Sequence, residues 1–243
     1  MIMKITEYTL KAPISRDLVA AFVADTHDIK YDTLISQIKK QNVDVIFMTG
    51  DIVFGHDDRI KNGFDMLSAF VSIAPTFMCF GNHEGGATEL VRTECQKRGV
   101  RLLEEDYVEF EGVVIGGLTS GYIRDNTGLK ENHWRKTPAP DVEWLEKFSA
   151  VDGYKILLNH HPEYYEEYIK PLDIDLTLSG HAHGGQWRFF GRGLFAPGQG
   201  IFPKYTSGIH ENRFIISRGL ANNAFVPRLF NSRELIFINF KTK

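Results

Sequence analysis

Asp25, His27, Asp51, Asn82, His83, His160, His181 and His183 are side chains of the kinds that bind metal ions or move protons, and each closely follows a short apolar run. Gly81-Asn82-His83-Glu84, after the run Pro75 to Phe80, shows the pattern most plainly. A strand ending in a glycine turn can push its next side chains out over the carboxyl end of a sheet, where open α/β sheets bind ligands. Asn82 offers a neutral amide oxygen to a hard cation, and His83 an imidazole that can donate a proton near neutral pH. A single turn of this kind is more often a cap or a solvated corner. Five of them, all at strand ends, are hard to dismiss on that ground.

The spacing within the clusters adds to this. Asp25-Thr26-His27 and His181-Ala182-His183 each place two donors two residues apart, so in extended backbone both point to one side. Oxygen and nitrogen donors without a thiolate suit manganese, iron or zinc better than a thiolate zinc site or a calcium cage. Three carboxylate or amide groups (Asp25, Asp51, Asn82) and four histidines (His27, His160, His181, His183) are too many for one tetrahedral centre. The expected cofactor is therefore a pair of divalent transition-metal ions, manganese first, with iron or zinc as alternatives. Asp51 would bridge them, because a carboxylate has two oxygens to share.

The elements that must position these residues are legible as alternating strands and helices. Asp17 to Ala24 and Val43 to Met48 are apolar runs suited to strands buried on both faces. Between them Tyr31, Leu34, Ile35 and Ile38 fall on one helical face, and after them Ile60, Phe64, Leu67 and Val71 do the same. Pro75 to Phe80 is the third strand. A helix with Ala87, Leu90 and Val91 on one face follows it and ends at Gly99. Three strand, polar turn, helix units imply parallel strands, with all three turns on one sheet edge. From Val100 to Thr119 the segments VRLL, YVEF and VVIGGL read as antiparallel strands, and Tyr122 to Pro140 as a long loop. Pro140-Asp141 opens a helix carrying Val142, Leu145 and Phe148, and Lys155 to Leu158 and Ile174 to Leu178 are buried strands leading to the histidine clusters. Phe214 to Ser217 and Leu235 to Phe240 are the last expected strands.

Length and composition bound the partners. The 243 residues, with 43% apolar and 24% charged, fit one soluble α/β domain spanning 1–243. A net charge of −3 without a long basic run argues against nucleic acid as a partner. Cys79 and Cys95 cannot build a disulfide framework and read as reduced thiols, which places the chain in the cytoplasm. Met1 to Lys11 lacks the apolar core of a signal peptide, and no run is long enough to span a membrane, although peripheral membrane contact stays open.

Asp25-Thr26-His27, Gly50-Asp51, Gly81-Asn82-His83-Glu84, His160 and Gly180-His181-Ala182-His183, in this order, resemble the complete signature of the calcineurin-like metallophosphoesterases. The resemblance covers residues from about 20 to 185. It implies an α/β fold, a four-layer α/β/β/α sandwich of two mixed β-sheets flanked by helices. Carried over position by position, it implies one metal on Asp25, His27, Asp51 and His183 and the other on Asp51, Asn82, His160 and His181. His83 is implied as the catalytic residue that protonates the leaving oxygen or steadies the phosphoryl charge, and Asp51 as the bridge. The family often has Asp where this chain has Glu84, whose implied role is to fix the tautomer of His83 by a hydrogen bond. The implied reaction is hydrolysis of a phosphoester by in-line attack of a metal-bridging hydroxide, without a covalent enzyme intermediate.

Beyond the last cluster, a Gly/Pro/aromatic loop, Ser217-Arg218-Gly219-Leu220 and Pro227-Arg228-Leu229-Phe230 are similar to a branch of bacterial phosphohydrolases. That branch includes phosphodiesterases acting on UDP-diacylglucosamine. It implies a phosphodiesterase or pyrophosphatase whose substrate is a nucleotide-sugar or lipid-linked phosphodiester. A phosphomonoesterase acting on proteins or small molecules, and a non-catalytic metal-binding interaction module, are the alternatives. The loop from Gln186 to Tyr205 carries Trp187, Phe189, Phe190, Phe195, Phe202 and Tyr205 among Arg188, Arg192 and Lys204. It reads either as a satellite core or as one wall of a pocket for an amphiphilic substrate. His161 is expected to face away from the site, and His56, His133 and His210 to be surface or loop residues. Trp134 and Trp144 are expected in the core, and Glu104 to Asp106 and Glu163 to Glu167 on solvated faces.

Overall fold

The computed structural model describes residues 3–53, 60–125, 136–222 and 227–243. The chain opens with β1 (Met3–Ala12) and β2 (Leu18–Val23), then alternates through α1 (Asp32–Lys40), β3 (Val45–Met48), α2 (Lys61–Val71), β4 (Thr76–Met78), α3 (Thr88–Arg98) and β5 (Arg101–Leu102). A hairpin of β6 (Asp106–Phe110) and β7 (Val113–Leu118) leads past a helical turn, α4 (Gly121–Arg124), to α5 (Val142–Ser149), β8 (Tyr154–Asn159) and β9 (Leu176–Ser179). Two small hairpins follow, β10 (Arg188–Phe189) with β11 (Arg192–Gly193) and β12 (Phe195–Ala196) with β13 (Gly200–Ile201). The chain then runs through β14 (Gly208–His210), β15 (Phe214–Ile216) and β16 (Arg233–Thr242).

Two six-stranded mixed sheets result, ordered β1-β16-β2-β3-β4-β5 and β14-β15-β9-β8-β7-β6. Strands β2 to β5 are parallel, as helical crossovers require, and β16 lies antiparallel to β2 but parallel to β1. In the second sheet β7, β8, β9 and β15 are parallel, with β6 and β14 as antiparallel edges. The expectation of an antiparallel VRLL segment is therefore corrected. Helix α3 carries the chain back, so β5 adds to β4 in parallel, and of the three segments the directly connected β6 and β7 pair antiparallel.

Alternation along the strands divides the apolar residues between layers. Ala20, Phe22, Val45 and Phe47 face the second sheet and meet Ile156, Leu158, Leu176 and Leu178 there. Their neighbours Ala21, Val23, Ile46 and Met48 point the other way, against Leu34 and Ile38 of α1 and Phe64, Leu67 and Phe70 of α2. On the far side Leu157 and Phe214 pack with Leu145 and Phe148 of α5 and with Tyr164 and Tyr165. Four layers are thus held by three apolar cores, and the central strands β2, β3 and β7 are apolar throughout. Gly99, at φ +81°, ends α3, and the Asp141 carboxylate accepts the Trp144 backbone N–H at 2.9 Å to start α5. Among the expected face of α3, Val91 is buried but Leu90 stands exposed. His56, His133, Trp134 and the middle of the Tyr122 to Pro140 loop lie outside the described residues. No helix among the described residues is long and apolar enough to cross a membrane.

Candidate metal centre

The carboxyl ends of β2, β3 and β4 in one sheet and of β8 and β9 in the other meet at one edge of the sandwich. Gly50 and Gly81 make the approach possible. A Cβ on Gly50 would stand 2.0 Å from the Gly81 nitrogen, and one on Gly81 would stand 2.3 Å from Asp51 Oδ1. The loops are laced by main-chain bonds. The N–H of Asp25 donates to the Gly50 carbonyl at 3.3 Å, and that of His27 to the Asp51 carbonyl at 2.9 Å. The N–H of His181, from the opposite sheet, donates to Asp25 Oδ1 at 2.9 Å.

Asp25, His27, Asp51, His181 and His183 all have left-handed backbone, with φ between +40° and +62°. Non-glycine residues are held this way at roughly 1–3 kcal/mol each, and such positions persist only where neighbouring structure over-determines them. Here the inter-loop hydrogen bonds do so. The expected extended backbone, which would point Asp25 with His27 and His181 with His183 to one side, is replaced by left-handed backbone that turns these side chains into one shared space.

In that space Asp51 Oδ2 lies 3.2 Å from His160 Nε2, 3.5 Å from His27 Nε2 and 4.0 Å from His83 Nε2. Asp51 Oδ1 accepts the His83 backbone N–H at 2.9 Å, so the Asn82–His83 peptide also reaches this carboxylate. His183 Nε2 is 3.8 Å from Asp25 Oδ1, and its ring stacks on His27 at 5.3 Å. His181 Nδ1 is 3.2 Å from His160 Nε2, and the His160 Nδ1–H donates to the Thr49 carbonyl at 2.6 Å. Among the described residues four groups of donor atoms fit within the span of a cation: Asp25, His27 and His183; His27, Asp51 and His83; Asp51, His160 and His181; and His161, Glu163 and His181. Asn82, next to His83 in the chain, is buried.

The electrostatics match a set of cation donors. Burial favours the neutral form of His27, His181 and His183, the last lowered to about 3, so their lone pairs are available. Burial would raise Asp51, but the imidazoles of His160, His83 and His27 outweigh it and hold the carboxyl well below its ordinary range. Asp25, with less compensation, is raised to about 7 by burial and by Asp51. His160 is lifted to about 10, because attraction to Asp51 overcomes burial. Buried carboxylates facing neutral imidazole nitrogens call for positive charge, and divalent cations fit this donor set. His183 Nδ1 accepts from Arg228 Nη2 at 3.0 Å, which leaves the ring hydrogen of this neutral imidazole on Nε2.

Three residues take roles that sequence reasoning did not give them. Glu84 was expected to orient His83, but its buried carboxylate accepts backbone N–H groups of Gly81, Asp51 and Ile52 at 2.8, 2.9 and 2.7 Å. A glutamate one methylene longer than aspartate reaches across to the neighbouring turn. His161, expected to face away from the site, is fully buried beside it: its ring lies 4.4 Å from that of His181, its Nε2 2.7 Å from Ser120 Oγ, and its Nδ1 3.2 Å from Glu163 Oε1. Glu163, expected on a solvated face, is turned inward and also lies 3.7 Å from His181 Nε2. It stands where an outer carboxylate orients a metal-binding imidazole. The expected solvated role does hold for Glu166 and Glu167, which pair with Lys204 and Lys136.

Residues 18–185 match the calcineurin-like phosphoesterase family. An uncharacterized metallophosphoesterase of Campylobacter jejuni is 28% identical over 239 residues, which cover 95% of this chain and 61% of that protein. The chain thus spans about three fifths of that relative's length. An uncharacterized metallophosphoesterase of Aquifex aeolicus is 26% identical over 99% of this chain and 93% of its own length. Phosphodiesterase YaeI of Escherichia coli is 26% identical over 83% of this chain and 74% of its own length. With the matched stretch running from β2 through the last histidine cluster, the chain belongs to the calcineurin-like phosphoesterase family.

Proposed function

We propose that the chain is a binuclear metal-dependent phosphodiesterase. One divalent ion would be held by Asp25, His27, Asp51 and His183, and the other by Asp51, Asn82, His160 and His181, with manganese favoured over iron or zinc. The observation that carries this reading is the position of Asp51 Oδ2, within 3.2 to 4.0 Å of imidazoles from both sheets. Bound ions would supply Lewis-acid stabilisation of the phosphoryl charge and acidify the attacking water.

The chain's own residues supply the rest. His83, with its main chain fixed by Asp51 and its side chain 15% exposed, would hand a proton from Nε2 to the departing oxygen. Cys79 and Cys95 are buried, so direct displacement by water fits better than a covalent thiol intermediate. A diester is favoured by the similarity to a relative named phosphodiesterase. A nucleotide-linked or lipid-linked phosphodiester is favoured by a cavity of about 500 Å³ whose lining includes Arg188, Arg192, Lys204, Thr206 and His210.

Elemental analysis after manganese reconstitution should find about two ions per chain, and chelation should abolish hydrolysis of an aryl phosphodiester. Asp51→Asn should lose more metal than any other single ligand change. One ion or fewer per chain, or a site emptied by Asn82→Ala but left full by Asp51→Asn, would sink the binuclear reading. Faster turnover of aryl monoesters than diesters would make the chain a phosphomonoesterase.

A further inference from the structure

The loops beyond His183 carry an apolar face that the metal centre does not use. Six of the ten large apolar side chains that stand exposed among the described residues lie between Phe189 and Phe230. Phe190, Phe202 and Phe230 are exposed to 106%, 76% and 75%, and all three have left-handed backbone, at φ +49°, +53° and +52°. Positive φ is an outlier for bulky residues. Phe190 precedes Gly191, φ +81°, in the two-residue turn of the β10–β11 hairpin, where Asn or Asp before glycine is the relaxed choice. At three separate turns the chain thus accepts an unfavourable backbone in order to hold a ring out into solvent.

The rings form one patch. Phe189 meets Phe230 edge-on at 5.9 Å, and Phe189, Phe190 and Phe202 line a common groove of about 340 Å³ with Arg192. The surrounding charge is one-sided. Residues 186–210 contain Arg188, Arg192 and Lys204 and no Asp or Glu. Across 176–233 seven Lys and Arg face the single acid Glu211, a balance of +6 in a chain of −3, so the remainder carries −9. Arg192 and Lys204 are exposed beside the rings, although Lys204 also pairs with Glu166 at 2.6 Å.

We propose that this face docks on the surface of an anionic lipid bilayer, with Phe190, Phe202 and Phe230 among the headgroups and Arg192 and Lys204 against lipid phosphates. Rings at the tips of turns beside exposed cations suit the bilayer interface, which wets polar backbone while taking up apolar side chains. The charge complements anionic headgroups. The patch is also coupled to the metal centre. Asn231, next to Phe230, donates from Nδ2 to the His183 carbonyl at 2.7 Å, and Arg228 contacts the His183 ring. Docking would therefore bring the strand-end edge of the sandwich to the membrane. The inference does not rest on the hydrolase reading, since binding is measured without turnover.

The test is co-sedimentation of the full chain with vesicles of phosphatidylcholine alone and of phosphatidylcholine with one third phosphatidylglycerol. Binding should be at least about tenfold stronger to the anionic vesicles and should weaken as salt rises. Phe190→Ser with Phe202→Ser should weaken it roughly tenfold per ring, with unchanged melting. Phe230→Ser, on a different turn, should do the same by itself. Absence of binding to any vesicle, or equal binding by the variants and the parent, would overturn the proposal. A concentration-dependent dimer dissolved by the same substitutions would assign the face to a second copy of the chain instead. Saturable binding of a monomeric short-chain phospholipid without vesicle binding would assign it to a single amphiphile.

Discussion

The carboxylate of Glu84 accepts the backbone N–H of Asp51 at 2.9 Å, so a side chain from the turn after β4 fixes the main chain of the turn after β3. The same carboxylate accepts from Ile52 and Gly81, and its burial leaves no water to replace it.

Glu84→Ala should therefore strip partners from three buried N–H groups at about 1–3 kcal/mol each, read as a lower midpoint in urea. Glu84→Gln should cost less. In both variants metal affinity should fall by about 10- to 100-fold, because the Asp51 turn is no longer held in its left-handed geometry. An alanine variant with native stability and native metal content would show that the turn holds itself.

His83→Ala should keep its metal and its fold but lose about two to four orders of magnitude in kcat. The loss should shrink as the leaving group becomes more acidic and needs no proton. Equal losses for good and poor leaving groups would make His83 a charge-stabilising or positioning residue.

Burial pushes the Cys95 thiol up to about 12 and raises Cys79 further from the reactive range. Neither should react with a disulfide reagent at pH 8 in the native chain, and both should react once it is unfolded. Rapid labelling of the folded protein would place one of these thiols nearer the surface than the structure does.

Glu166 ties the aromatic loop to the second sheet's outer layer. It pairs with Lys204 at 2.6 Å and accepts from the Tyr205 hydroxyl, and these contacts, Lys204 first, lower its pKa to about 2 from 4.5. Because the folded value is depressed, the contribution is fully present above pH 4.5 and is lost as pH falls toward 2. Glu166→Gln should lower the melting temperature by only about 1–2 °C near pH 7, given the exposure of the pair. The gap to the parent should narrow as pH falls below 4.5 and close toward pH 2. A gap that stays constant with pH would mean that the glutamate acts by packing rather than by charge.

The strands that carry the site were legible because each is a short, largely apolar run that ends abruptly in polar residues, a signal contained within a few positions. That signal placed Asp25, His27, Asp51, Asn82, His83, His160, His181 and His183 at strand ends, and the two sheets bring those ends together. What stayed hidden depends on distance along the chain. Arg228 reaches the His183 ring from 45 residues away, and nothing local distinguishes it from other arginines. Glu163 lies in a run of acids whose composition reads as solvated, yet it alone turns inward, because the turn after His161 aims it at His181. The hydrogen bonds of Glu84 run to backbone amides, which carry no sequence signature. The path of β16 was equally hidden, since its apolar pattern says that it is buried but not between which neighbours.

That path has a consequence for the order of events during synthesis. Among the described residues β1 forms its ladder with β16 alone, Met3 standing opposite Arg233 and Ala12 opposite Thr242, and β16 also separates β1 from β2. Strand β1 thus waits for β16, which follows it only after the other described strands, and the sheet that carries Asp25, Asp51 and Asn82 cannot close until β16 has been made. Pairing across such a separation is slow, and an unpartnered strand invites wrong partners in the interval. The exposed Lys4, Glu7 and Lys11 along β1 place charges on that waiting edge, where they oppose premature pairing with another nascent chain.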